Sequence, residues 1–381
     1  MSTKELRVAL IGHQFMGVAH SNAFRNAAMW TNIPVNIKMK CICANDKTEQ
    51  LKVFASRYGW ERYETDWRTV VASDDIDLIS IATPNFLHSQ IAIEAAGNGK
   101  HILCEKPLAN GINEAAEMLK AVNKAKVKHC CGFSYRFTPS LALAKQLIQE
   151  GRIGRIYNVF VRYAQDWIAD PNFGMVWRFD KKVAGSGALG DLSAHSIDAI
   201  HFITGLKFKE VIGNLQTLVK ERPLNSADPN GAKGEVTVDD VAQFLVNFDN
   251  GATGCFESTR LATGRKNYNS IEINGDKGSL VWNFEDQNYL MFYDGANSPK
   301  EAGFRRINVT HDVHPYKGGW WPQGHGIGYA DSFVIEVAAF VRSIAEDIPF
   351  NPDFEDGLRC QSVLEAIEHS VVEGKWTQVS A

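Results

Sequence analysis

Apolar and polar positions follow two different rhythms along this chain. Up to about residue 133, short apolar runs at 6–11, 39–44, 77–82, 102–104 and 127–133 read as strands. Helical periodicity separates them, from a glycine turn at 12–17 to about residue 28, at 88–96 and at 113–126. Strands that are apolar on both faces and alternate with helices indicate a parallel, doubly wound α/β sheet. After Gly151 the rhythm changes. Positions 156–163 alternate with period two, and further strand candidates lie at 208–219, 236–248, 252–261, 269–274, 278–283, 288–293 and 304–309. Asp249-Asn250-Gly251 and Asn274-Gly275-Asp276 supply hairpin turns. This half predicts a large, open, mostly antiparallel sheet, with helices at 190–204 and 329–346 over one face and a last helix at 355–374. The expected division is an α/β domain at 1–132 and an α+β domain at 133–381.

Composition narrows the function classes. A net charge of −4 leaves no electrostatic footprint for nucleic acid or an anionic membrane. No apolar run reaches the roughly 20 residues that span a bilayer. The N-terminus leads into a strand without signal-peptide organisation, so a cytoplasmic location is expected. The seven cysteines form no C-x-x-C spacing. They read as reduced thiols, mostly small core residues, and no metal is expected.

Gly12-His13-Gln14-Phe15-Met16-Gly17 joins the first strand to the first helix. That context suits dinucleotide binding, although Gln14 stands where the middle glycine of G-x-G-x-x-G belongs. The second strand ends in Asn45-Asp46-Lys47, where the ribose hydroxyls are held in such a unit. Asp46 would repel a 2′-phosphate, which favours NAD over NADP. Thr83-Pro84-Asn85-Phe86-Leu87-His88 is a proline-fixed turn entering a helix, and Glu105-Lys106-Pro107 ends an apolar strand. In a parallel sheet, function collects at those strand ends.

The second half carries Gly185-Ser186-Gly187-Ala188-Leu189-Gly190-Asp191, then His195 and Asp198. The glycines read as a flexible approach to a helix beginning near Asp191. Helical spacing puts Asp191, His195 and Asp198 on one face. A capping aspartate with a half-buried histidine, or a metal site lacking further ligands, are the alternatives to catalysis. Tyr163, Gln165, Asp166 and Trp167 at a strand end suit a sugar pocket, and His325 in a tryptophan-rich loop is a second candidate.

Together, Glu105-Lys106-Pro107, Thr83-Pro84-Asn85-x-x-His88, Tyr135-Arg136-Phe137 and Asp191-x-x-x-His195 resemble the Gfo/Idh/MocA oxidoreductases over nearly the whole chain. The resemblance implies an N-terminal Rossmann domain and hydride transfer between a nicotinamide cofactor and a hydroxyl carbon of a cyclic polyol or sugar, such as an inositol, an aldose or levoglucosan. It implies Lys106, Asp191 and His195 as a catalytic triad spanning both domains. The cofactor would meet Gly12, Phe15, Met16, Asn45, Asp46, Thr83, Pro84, Asn85, His88, Glu105, Lys106, Trp177 and Arg178. The substrate would meet Lys106, Tyr163, Gln165, Asp191, His195 and His325. A homodimer or homotetramer is implied. A nondissociating sugar oxidoreductase and a non-catalytic nucleotide-binding regulator are the competing readings.

Overall fold

A computed structural model describes residues 4–45, 48–317 and 320–380. The chain divides into two compact units, Met1–Phe137 with Ile327–Leu358, and Thr138–Gly326 with Arg359–Ala381. The first unit thus runs five residues past the expected 132/133 boundary and takes back a late segment.

The strands of the first unit are β1 (Glu5–Ile11), β2 (Asn36–Cys43), β3 (Arg62–Glu64), β4 (Leu78–Ile81), β5 (His101–Glu105) and β6 (His129–Gly132). They form one parallel sheet in the order β3-β2-β1-β4-β5-β6. Its helices include α1 (Phe15–Trp30), α2 (Thr48–Tyr58), α3 (Trp67–Val71), α4 (His88–Gly97) and α5 (Ile112–Ala125). The apolar runs do lie inside: Val8, Leu10, Leu78, Ile79, Ile102 and Leu103 are all fully buried. The order reverses between β1 and β4, and a crevice at such a switch point is where doubly wound sheets take ligands. The stretch holding α2, β3 and α3 is an addition to the expected elements.

The rest of the chain supplies α6 (Pro139–Gln149), β7 (Ile156–Ala164), α7 (Lys181–Ala184), α8 (Ala194–Thr204), β8 (Phe208–Gln216), β9 (Glu221–Pro223), β10 (Lys233–Glu235), β11 (Val241–Phe248), β12 (Thr253–Thr259), β13 (Tyr268–Gly275), β14 (Gly278–Asn283), β15 (Tyr289–Asp294), β16 (Arg305–Asn308), α9 (Tyr329–Glu346), α10 (Phe354–Glu373) and β17 (Thr377–Gln378). Nine strands make one sheet in the order β16-β15-β14-β13-β7-β12-β11-β8-β17. Among the described residues, only β7 and β12 pair in parallel within it. Val159, Val161, Phe244, Val246, Phe256 and Ile271 are buried on one face. Tyr157, Phe160 and Leu245 stand out from the strands, each about half exposed.

One expectation is corrected here. The helix at 329–346 does not cover the second sheet. It is α9 of the first unit and packs on α1, where Tyr329 stacks on Phe15 at 5.9 Å and Phe333 lies 6.0 Å from the His20 ring. Its apolar face fits either sheet equally well by periodicity, so the pattern alone could not choose.

Candidate active site

In the first unit, β1 ends at a turn that needs glycine. Gly12 has φ +109°, and a Cβ there would stand 2.2 Å from the Ala82 carbonyl oxygen. A Cβ on Gly17 would stand 2.4 Å from the Gly12 carbonyl oxygen, so these two positions hold the turn close. Gln14 has φ −69° and demands no glycine, which explains how the broken fingerprint still folds. Helix α1 starts with no side-chain cap and no acid in its first turn. Its N–H groups and positive end suit an anionic pyrophosphate. Phe15 is exposed, and Met16 accepts from the Tyr329 hydroxyl at 3.9 Å. Asn45 is exposed just past β2. Asp46 lies outside the described residues.

The loops after β4 and β5 are tied together from beneath. His88, at the start of α4, is fully buried. Its Nδ1 lies 3.1 Å from the Pro107 carbonyl and its Nε2 lies 3.1 Å from the Thr83 carbonyl. Burial lowers its pKa, against the pull of both carbonyls, and a neutral ring donates to one carbonyl at a time. Thr83, Pro84 and Asn85 remain partly exposed above it. Glu105 is buried too. Its carboxylate meets His20 Nε2 at 2.8 Å and accepts the Lys106 backbone N–H at 3.2 Å. His20 Nδ1 in turn lies 2.7 Å from the Ser80 hydroxyl. A histidine on α1 and a serine inside an apolar strand therefore fix the peptide that carries Lys106, whose side chain is half-buried. Arg136 pairs with Asp356 at 3.2 Å and is buried, a structural anchor within this unit.

In the second unit, Asp191 sits in a π-helical turn, Leu189–Ser193, and regular α-helix begins only at Ala194. Wider turns of this kind are frequent at functional sites. The three-residue polar face is amended: Asp191 and His195 are half-buried, but Asp198 is inside the protein. Tyr163 packs against His195, ring centres 6.1 Å apart. The Tyr163 hydroxyl and the Gln165 amide both donate to Asn267 Oδ1 at 2.7 Å. Asp166 is taken up by Lys266, and Trp167 packs on a buried apolar cluster with Phe179. Trp177 and Arg178 form a short turn with the guanidinium 4.4 Å from the indole ring. His325 is exposed, its ring at 3.0 Å from the Pro322 carbonyl. Among the described residues, no three His, Cys, Asp or Glu side chains gather as a metal ion would require.

The hydrophobic pattern hid two site residues. Asp239 is buried and accepts the N–H groups of Gly187 and Leu189, each at 2.7 Å. Burial pushes its carboxyl above the usual range, opposed by those N–H groups and by Arg260. Arg260 is also buried, and its Nη1 lies 3.8 Å from the Asp191 carboxylate. Both fell inside expected strands, 236–248 and 252–261. The strand is shorter than expected: β11 starts only at Val241, so the adjacent acids Asp239 and Asp240 precede it, and both are buried.

Residues 6–133 match the family described as "Oxidoreductase family, NAD-binding Rossmann fold", and residues 141–281 match the "GFO/IDH/MocA C-terminal domain". The chain belongs to the Gfo/Idh/MocA oxidoreductase family. A levoglucosan dehydrogenase from Pseudarthrobacter phenanthrenivorans is 41% identical over 99% of this chain and 98% of its own. The crystal structure of an oxidoreductase domain protein from Kribbella flavida superposes with a TM-score of 0.95 at 48% identity, covering 99% of this chain and 100% of that one. A levoglucosan dehydrogenase in complex with NADH and levoglucosan gives 0.94 at 41% identity over 99% and 100%. The chain is an NAD-dependent oxidoreductase of this family, and Gly12, Gly17 and the uncapped start of α1 fit that cofactor. No helix among the described residues is long and apolar enough to cross a membrane.

Proposed function

We propose that this protein oxidises an anhydrosugar of the levoglucosan type with NAD. The observation that carries most weight is 41% identity to a levoglucosan dehydrogenase across nearly both full lengths. A bound nicotinamide supplies the hydride acceptor. The chain's own residues do the rest. His195, near neutrality by nature, takes the hydroxyl proton. Lys106 donates to the reacting oxygen and favours its developing negative charge. Asp191 orients substrate and supports the charged imidazole. Tyr163, Gln165 and Asn267 form a polar cluster next to His195 that suits sugar hydroxyls. Gly12, Phe15, Met16, Asn45, Asp46, Thr83, Pro84, Asn85, Glu105, Trp177 and Arg178 are assigned to the cofactor by family resemblance. His88 supports that surface from beneath, and His325 is assigned to substrate.

The experiment follows absorbance at the NADH band with NAD, or NADP, and a panel of levoglucosan, inositols and aldoses at mildly alkaline pH. A saturable rate with levoglucosan and NAD is expected. Saturation with an inositol instead, or faster turnover with NADP, would overturn the assignment.

The half-exposed Phe160 and Leu245, which share one cross-strand row through Cys255 on the outer sheet face, support a second copy of this chain as its cover. Light scattering is expected to give a dimer or tetramer, and Phe160→Asp is expected to lower that mass. A monomer at micromolar concentration removes the proposal. Seven cysteines, none in a disulfide among the described residues, support a reducing, cytoplasmic setting.

A further inference from the structure

We propose that Arg260 is the positioning residue of the Asp191–His195 pair, holding the Asp191 carboxylate charged and in place from the core side. This rests on the reading of Asp191 and His195 as the acid–base pair. Arg260 follows directly on β12 and is only 1% exposed. Its Nη1 reaches to 3.8 Å from Asp191 Oδ2, while its Nη2 donates to the Asp239 backbone carbonyl at 3.1 Å. The guanidinium carbon lies 5.7 Å from the Trp167 ring and 6.0 Å from the Phe179 ring. A planar, forked and permanently charged group meets these demands together, and lysine would not.

The same residue set holds the loop that delivers Asp191. The Asp239 carboxylate binds the N–H groups of Gly187 and Leu189. Its carbonyl accepts both Arg260 and the Ala188 N–H, the latter at 3.0 Å. Around this centre lie further charges. Arg222 is buried, 4.7 Å from the Phe179 ring, and donates to the carbonyls of Ile168 and Asp170. Asp240 is buried and accepts the N–H groups of Leu218 and Val219. Asp198 is buried on α8, and Tyr163 faces His195. A buried cation beside Asp191 stabilises its ionised form, and it also disfavours a proton on the nearby imidazole. Both effects keep the pair ready to accept a proton at lower pH.

The test compares Arg260→Met, Arg260→Lys and Asp191→Asn by the pH profile of kcat/KM for sugar oxidation, with NADH fluorescence reporting that cofactor binding persists. Arg260→Met is expected to move the acid limb upward by about one pH unit. Arg260→Lys is expected to return the limb to within a few tenths of a unit, with kcat partly restored. A limb unmoved in Arg260→Met overturns the proposal, because a purely structural role lowers the amount of folded enzyme without shifting its profile. If Arg260→Met does not fold, Asp191→Asn decides. Coupling predicts a melting temperature lower by several degrees, since the buried guanidinium loses one of its two acidic neighbours, Asp239 being the other. An unchanged melting temperature overturns it. Asp191→Asn with full turnover would sink the acid–base reading itself, whereas an inactive Asp191→Asn with an unmoved Arg260→Met limb sinks only the role of Arg260.

Discussion

Lys106→Met is expected to lower turnover about a thousandfold while NADH still binds. The side chains are similar in length, so the variant removes charge and hydrogen bonding with little change of volume. The scaffold beneath should not notice. The Lys106 peptide is held through its N–H by Glu105, Glu105 is held by His20, and His88 holds the next carbonyl from the other loop. None of these contacts uses the Lys106 ammonium. The loss should therefore appear in kcat, with a smaller change in KM, in a steady-state assay with the sugar identified by the panel. Turnover within tenfold of the parent would remove Lys106 from the chemistry.

Gly187→Ala is expected to be nearly as damaging, for a mechanical reason. A Cβ at this position would lie 1.7 Å from the Asp239 carbonyl oxygen and 2.7 Å from both its carbon and Arg260 Nη2. Backbone on both sides must move. The cost is about 3 kcal/mol, or a melting temperature lower by roughly 10 °C. The displaced loop leads straight into the π turn of Asp191, so activity should fall about a hundredfold in whatever protein still folds. Gly97→Ala is the control, since nothing lies within 4 Å of a Cβ there. Thermal melts and the same assay check both. Parent-like behaviour in Gly187→Ala would mean that the loop adapts freely.

That glycine also shows what the sequence did and did not disclose. The run 185–190 reads as flexible because glycines are permissive. In the fold Gly187 is there because nothing larger fits. Strand periodicity was legible wherever one face is buried, as along Val159, Val161 and Tyr163, because burial imposes a period of two. It could not reveal that α9 returns to the first unit, because an amphipathic helix does not name its partner. Single polar residues within apolar runs were the least legible. His20, Ser80, Asp239 and Arg260 carry their meaning only through neighbours 60, 85, 52 or 21 positions away. By contrast, Lys106, Asp191 and His195 were visible as motifs, since each follows a recognisable local break in the pattern. The assignment of the ribose-side acid stays with the sequence, because Asp46 lies outside the described residues.

The return of α9 to α1 has a consequence for synthesis. Ribosomes deliver the chain from its amino end, yet the nucleotide-binding unit needs Phe333, Val337 and Phe340, buried on a helix that ends at Glu346. Until that helix emerges, the α1 surface that it covers, including the Tyr329 contact beside the glycine turn, stays open to water. The unit that begins first is therefore completed after the whole nine-stranded sheet, apart from its last short strand, has left the ribosome. A message truncated anywhere before that point yields a nucleotide-binding fold lacking one of its walls.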